Sequence, residues 1–85
     1  MTPKIFNLHL SDETTSLYFL MEGFSSQNAC VSTSEIYRVW NSTESLFKQG
    51  LRELEERNVI SRVLADNEYN GFYSLVNDDQ WRYAN

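Results

Sequence analysis

The sequence is short of the residues from which disulfides, metal sites and catalytic sets are built. Its 85 residues include a single cysteine, Cys30, and a single histidine, His9. One cysteine excludes an internal disulfide, and the pair offers no spacing for a tetrahedral metal site. No Ser-His-Asp or Cys-His set of any specificity can be built around one histidine. We therefore expect no metal, no cofactor and no enzymatic activity.

Proline, glycine and long apolar runs are also scarce. One proline and three glycines leave no linker at which the chain would divide. The longest apolar run, residues 17–21, falls far short of the ~20 residues that span a membrane, and the N-terminus lacks the apolar stretch of a signal peptide. A chain of this size buries roughly 60–65% of its unfolded surface, enough for one core and a shallow groove. We expect a single cytoplasmic domain over residues 1–85, without membrane contact.

Positive charge is in short supply as well. Seven Lys and Arg against 12 Asp and Glu give a net charge of −5, which counts against nucleic acid because Lys and Arg supply most of the affinity for phosphates. The deficit is uneven, however, since residues 32–64 carry five positive and five negative side chains. Salt screens exposed charges beyond ~8 Å, so this locally neutral surface matters more than the total.

The N-terminal part of the chain predicts an extended segment followed by a helix. Phe6, Leu8 and Leu10 alternate with polar neighbours, a period of two that is typical of a short strand or extended arm over residues 1–10. Ser11 then precedes two carboxylates, so it can cap a helix that begins at Asp12. The apolar residues at helical spacing in this first helix are Leu17, Leu20, Met21 and Phe24.

A short second helix is predicted from Glu35 to Trp40. Its apolar side carries Ile36, Val39 and Trp40, which lie at i, i+3 and i+4. The apolar run just before it, at residues 29–31, is too short for a helix and indicates a short strand. A tight turn at residues 41–42 follows.

The third helix is the most strongly patterned segment. Ser42 is the expected N-cap, and the helix runs to Arg57. Asn58 is expected to adopt the left-handed conformation that commonly ends a helix. The residues of the apolar face are Phe47, Gly50, Leu51 and Leu54.

Two strands and a tail complete the prediction. Residues 59–64 and 72–76 are rich in β-branched and aromatic side chains, and the seven residues between them suit a turn, so they predict a β-hairpin. The core is expected over residues 11–76, with a tail over 77–85. Trp81 and Tyr83 in that tail either pack back on the first helix or form a dimer surface.

This order of elements resembles a winged helix-turn-helix domain. Such domains have a tight turn between the second and third helices and a hairpin, the wing, directly after the third. Their second helix carries an apolar residue four positions before a large apolar one, as Ile36 and Trp40 stand here. The third helix matches the family at Thr43, Phe47, Gly50, Leu51 and Leu54. After it the family usually has Gly and two aliphatic residues, and here stand Asn58, Val59 and Ile60. The resemblance covers residues 12–76 and implies an α+β fold of three helices, a C-terminal hairpin wing and a short N-terminal arm.

A narrower similarity concerns the end of the wing. Residues 71–77, with an aromatic strand that leads to Asn77, are similar to RepL-type plasmid replication proteins and related MarR-like regulators. The usual Asn-Pro is absent, because Asp78 follows Asn77. Plasmid replication therefore stands as an alternative to regulation.

The resemblance implies a function in binding duplex DNA, as a transcriptional regulator of a plasmid, phage or other mobile element, with a possible homodimer. The third helix would enter the major groove while the second crosses the backbone. The residues expected to contact bases or phosphates are Arg38, Thr43, Ser45, Lys48, Gln49, Arg52 and Arg62.

Three departures from the family keep a protein partner open. Glu44 places a carboxylate at the start of the third helix, although glutamate can accept a hydrogen bond from cytosine N4. Leu46 occupies a position that should face outward and is usually polar in the family. The wing tip carries Asp66 and Glu68 but no Lys or Arg, which disfavours insertion into the minor groove. An acidic protein-interaction module, such as an antagonist or a DNA mimic, is thus the competing interpretation.

Overall fold

Three α-helices and a small antiparallel sheet make up the fold, which is α+β as predicted. The computed structural model describes residues 4–25, 30–67 and 70–82, with only the backbone for 65–67 and 70. The elements in chain order are a 3-10 helix at Lys4–Leu8, α1 at Asp12–Ser25, β1 at Val31–Ser32, α2 at Thr33–Val39, α3 at Glu44–Glu56, β2 at Ile60–Asn67, β3 at Asn70–Leu75 and a second 3-10 helix at Asp78–Gln80. None of the helices in the described ranges has the length and apolarity needed to cross a membrane.

The N-terminal prediction of a strand or extended arm was wrong. Lys4–Leu8 is a 3-10 helix that buries Ile5 and Leu8 and leaves Phe6 47% exposed. A 3-10 helix has three residues per turn, so the two aliphatic side chains point to the same side. The turn closes at His9, whose φ is 56°. The core therefore begins at Ile5, before residue 11.

The start of α1 and its packing on α3 follow from small side chains. The Ser11 hydroxyl accepts a hydrogen bond from the Thr14 amide at 3.3 Å, which confirms the predicted cap. The Thr14 hydroxyl donates in turn to the carboxylate of Glu53 on α3. A Cβ at Gly50 would lie 2.8 Å from Cδ2 of Leu17, so the glycine allows the two helices to approach closely.

The turn between α2 and α3 is held by aromatic side chains. The Trp40 indole N–H donates to the carbonyl oxygen of Thr43 at 2.8 Å, which bridges the turn. The rings of Tyr37 and Trp40 both meet the buried ring of Phe47 edge-on, with centroids 5.0 and 5.7 Å away. These contacts fix the angle between the two helices.

Two local predictions in this region were wrong. The N-cap of α3 is Thr43 rather than Ser42, because the Thr43 side chain accepts the amide hydrogen bond of Leu46 at 3.2 Å. Val39 was expected on the apolar side of α2, but it is 52% exposed. The helix ends at Val39, and Trp40 turns toward Phe47 in extended backbone, so the apolar side holds Ile36 alone.

The sheet has the order β1-β3-β2, with both pairs antiparallel. Asn58 has a φ of 60°, as predicted for the residue that ends α3 and turns the chain into β2. The predicted hairpin is confirmed, but its strands are longer than expected. Asn67 pairs with Asn70, where seven connecting residues had been expected.

The tail closes over the end of the domain. Trp81 is only 8% exposed, and its ring meets the ring of Tyr18 on α1 edge-on at 5.7 Å. Trp81 therefore packs back on the first helix, which is one of the two alternatives given for it. Tyr83 lies outside the described residues. Burial first, and then the hydrogen bond to Glu22, raise the pKa of Tyr18 above its usual value, so its hydroxyl stays protonated.

Candidate nucleic-acid interface

The solvent side of α3 gathers four of the residues singled out from the sequence. The helix buries Phe47, Gly50, Leu51 and Leu54, and its other side is therefore polar. On that side a shallow depression of about 520 Å³ runs along the helix. Its lining residues are Glu44, Ser45, Lys48, Gln49 and Arg52.

Thr43 is exposed at the start of this face, but its groups already have a structural role. Its hydroxyl oxygen caps α3 through the Leu46 amide, and its carbonyl oxygen accepts the indole hydrogen bond of Trp40. The residue therefore positions the first turn of α3. The hydroxyl hydrogen can still be donated outward.

The cations of the surface differ in how they are paired. Lys48 lies 3.5 Å from the Glu44 carboxylate, one turn back on the helix, with 36% of its side chain exposed. Arg52 and Arg38 are both exposed, and neither forms an ion pair with a described residue. Arg38 stands in the last turn of α2. A pair as exposed as Lys48 with Glu44 contributes at most about 0.5 kcal/mol, so a stronger anion can replace it.

Arg62 has a partner that the sequence did not reveal. Its guanidinium donates to the Glu55 carboxylate of α3 at 3.1 Å and lies 5.9 Å from the ring centroid of Tyr73. The hydrogen bond to Glu55 is the main cause that raises the pKa of Arg62. The pair links β2 to the flank of α3. Position 55 lies in α3 and position 62 in β2, so no period of a single element connects them and only the fold reveals the pair.

Leu46 and the acidic hairpin residues, which suggested a protein partner, are not seen as fully exposed side chains among the described residues. Leu46 is half-buried rather than fully exposed. Asp66 and Glu68, which were predicted at the wing tip, fall outside the residues whose side chains are described. The exposed apolar residues of the hairpin are instead Val63, Leu64 and Phe72, at 54%, 67% and 44%.

Comparison with family models, with curated proteins and with solved structures finds no match for this chain. The charge and geometry of α3 and its neighbours are therefore the basis for inferring function. No three His, Cys, Asp or Glu side chains in the described ranges are grouped as a metal site would require.

Proposed function

We propose that this chain is a winged-helix protein that binds duplex DNA through the solvent side of α3, as a regulator of a plasmid, phage or other mobile element. One observation carries the proposal. The polar side of amphipathic α3 brings together Ser45, Lys48, Gln49 and Arg52. The helix follows a tight turn that is held by the contact of the Trp40 ring with Phe47. The choice of a mobile element rests on the resemblance alone.

The chemistry of these side chains suits a base-lined groove. An α-helix fits the ~12 Å major groove, where Lys48 would donate to the O6 and N7 acceptors of guanine and Gln49 would pair with adenine. Arg52 would contact a phosphate, and Arg38 would contact the adjacent backbone as α2 crosses it. Glu44, the first residue of α3, would accept from a cytosine N4.

The affinity of one copy should be modest. Because Glu55 holds Arg62 and Lys48 is assigned to a base, the cations left for phosphates on this surface are Arg38 and Arg52. Two contacts give an expected slope of log K against log salt of about −2. Binding is therefore best sought at low ionic strength.

The test is a gel shift with random-sequence duplex at ~50 mM salt, where the electrostatic term is large. We expect wild type to bind, and Arg52→Ala to weaken binding roughly tenfold and reduce the salt slope by about one. Arg82→Ala is the matched control, since Arg82 is equally cationic and exposed but lies in the tail. The proposal fails if wild type does not bind at tens of micromolar, or if the control weakens binding as much as Arg52→Ala.

A second prediction concerns the carboxylate that occupies Arg62. Glu55→Gln should release the guanidinium for a phosphate, which raises affinity for duplex and steepens the salt slope by about one. Glu56→Gln makes the same change of charge on the next residue, which is exposed and has no described ion pair. Equal effects of the two substitutions on salt-dependent binding would show that net charge, and not the pairing of Arg62, is responsible.

The protein-interaction function keeps one specific observation in its favour. Leu64 and Phe72 are partners across β2 and β3, both are exposed, and they lie on the opposite side of the sheet from the buried Tyr73. Exposed apolar pairs of this kind often mark contacts with other proteins. If a host protein is retained by wild type and Arg52→Ala but lost with Leu64→Ser, this second function is favoured over DNA.

A further inference from the structure

Glu44 and Lys48 form an ion pair at the place where α3 would read bases. Both side chains line the depression on the solvent side of the helix, and the Lys48 ammonium lies 3.5 Å from the Glu44 carboxylate. A glutamate four residues before a lysine is the favourable order for such a pair on a helix. The Glu44 and Lys48 side chains are 57% and 36% exposed, so they present an acceptor and a donor side by side to solvent.

Contacts at the start of α3 hold the backbone beneath this pair. The Thr43 side chain caps the first turn through the Leu46 amide, and the buried ring of Phe47 meets the ring of Trp40. The two charged side chains therefore start from a fixed turn of helix, and only their own side-chain torsions can vary.

The major-groove edge of one G·C base pair offers the complementary arrangement. Guanine presents the acceptors N7 and O6 there, and cytosine presents the N4 amino donor. O6 and N4 are hydrogen-bonded to each other in the base pair, so they lie ~3 Å apart. That spacing is close to the 3.5 Å between the Lys48 and Glu44 groups. A Lys ammonium has three donors and a carboxylate has about four acceptor sites, so both can bind a base while they remain paired.

We propose that Glu44 and Lys48 together read a single G·C base pair, with the Lys48 ammonium on guanine O6 and N7 and the Glu44 carboxylate on cytosine N4. This inference rests on the proposed function and names the class of duplex that this part of the site selects. Because the pair has its donor at one end and its acceptor at the other, it also distinguishes G·C from C·G.

A·T pairs fit the two charges less well. Adenine N6 is the only donor on their major-groove edge, and it lies between the acceptors adenine N7 and thymine O4. A carboxylate that accepts from N6 therefore meets an acceptor on either side, and the ammonium gains one acceptor instead of two. We expect G·C to be preferred about tenfold over A·T at this position.

The pairing also limits binding to other sequences. With Glu44 beside it, Lys48 belongs to a neutral unit, and the carboxylate is repelled by phosphates and by base edges that carry only acceptors. Glu44 thus contributes to specificity by weakening unsuitable contacts. An exposed ion pair that only kept the helix solvated would show no such selectivity.

The test begins with a pool of random-sequence duplexes at ~50 mM salt, from which the bound fraction is sequenced. Wild type should enrich G·C in one orientation at a defined position. An enriched duplex is then varied at that position only. Replacement of G·C by A·T, or of cytosine by N4-methylcytosine, should weaken binding about tenfold. Inosine in place of guanine is the control, because it alters only the minor-groove edge and should bind about equally.

Protein variants test whether the pair acts as a unit. Glu44→Gln and Lys48→Ala should each remove most of the preference for G·C, and the double variant should remove no more than either alone, as coupled residues do. Glu44→Gln should also raise affinity for the unselected pool, because Lys48 is then no longer neutralised. Glu56→Gln makes the same change of charge at the exposed end of α3 and should leave the preference unchanged. Circular dichroism checks that each variant folds, as expected for exposed positions.

The proposal is overturned if wild type binds duplex without a base preference at any position, if Glu44→Gln keeps the wild-type preference, or if Glu56→Gln removes it. It is also overturned if the effects of the two single substitutions multiply in the double variant, since that would show two independent contacts. In each of these cases duplex binding itself stands, so the proposed function survives. Only the failure of wild type to bind duplex would overturn both proposals.

Discussion

Trp81→Ala is expected to lower the free energy of unfolding by about 3–5 kcal/mol. Trp81 lies beyond the last strand, yet it is 8% exposed, its indole N–H donates to the Val76 carbonyl at 2.9 Å, and its ring meets Tyr18. Truncation opens a cavity between the tail and α1. Domains of this size have about 5–10 kcal/mol in total, so the substitution should remove about half of the stability.

The same tail also closes the end of α3. The Arg82 amide donates to the Arg57 carbonyl at 2.7 Å, and the Asn58 side-chain amide donates to the Gln80 carbonyl at 3.0 Å. Loss of the Trp81 anchor should therefore loosen the last turn of α3. Duplex binding should weaken only to the extent that the protein unfolds, because the proposed contacts lie nearer the start of that helix.

Urea unfolding followed by circular dichroism measures the effect. Trp81→Phe is the control, since it keeps an aromatic ring against Tyr18 and loses the hydrogen bond to Val76 and part of the ring volume, at a cost of about 1–3 kcal/mol. If Trp81→Ala costs less than about 1 kcal/mol, as an exposed tail residue would, the tail does not pack as described.

The second large effect is expected at Thr33, whose hydroxyl connects α2 to the sheet. Thr33 is fully buried, and its Oγ1 both donates to the Gly71 carbonyl at 3.3 Å and accepts from the Gly71 amide at 3.0 Å. Thr33→Val keeps the shape of the side chain but leaves both backbone groups of Gly71 without these bonds. We expect a loss of about 2–4 kcal/mol, because each unsatisfied buried group costs about 1–3 kcal/mol.

Thr33→Ser is the matched variant for this site. It keeps the hydroxyl and removes one methyl group, so it should cost only about 1 kcal/mol. Chemical denaturation of the two variants in parallel gives the difference directly. Similar losses for valine and serine would mean that the methyl group, and not the pair of hydrogen bonds, is what stabilises this position.

Local signals predicted the regular elements well, because they depend on neighbouring residues. The Ser11 cap, the apolar period of α3 and the left-handed Asn58 are all set within a few positions of one another, and the structure has each of them. The four-residue cluster from Ser45 to Arg52 followed from the same period. A helix that buries one face necessarily presents the other to solvent.

The predictions that were wrong came from patterns too short to distinguish a strand from a 3-10 helix, or one N-cap from its neighbour. Phe6, Leu8 and Leu10 alternate as a strand would, but Ile5 and Leu8 are also three apart, and burial of that pair favours a 3-10 helix. Ser42 and Thr43 are both good N-caps. The Trp40 hydrogen bond to the carbonyl of Thr43 fixes where the turn ends and so selects Thr43.

The sequence alone determined the α+β class, the three helices, the hairpin and the polar face of α3, because caps and periodicity act over a few residues. Tertiary structure decided how these parts are joined: Thr33 to Gly71, Arg62 to Glu55, and Trp81 to Tyr18. Each of these contacts joins different elements, or the tail to an element, so no periodicity within one element predicts it. The scarcity of cysteine and histidine argued against a metal site and a catalytic set, and the polar surface of α3 is the place where function is to be tested first.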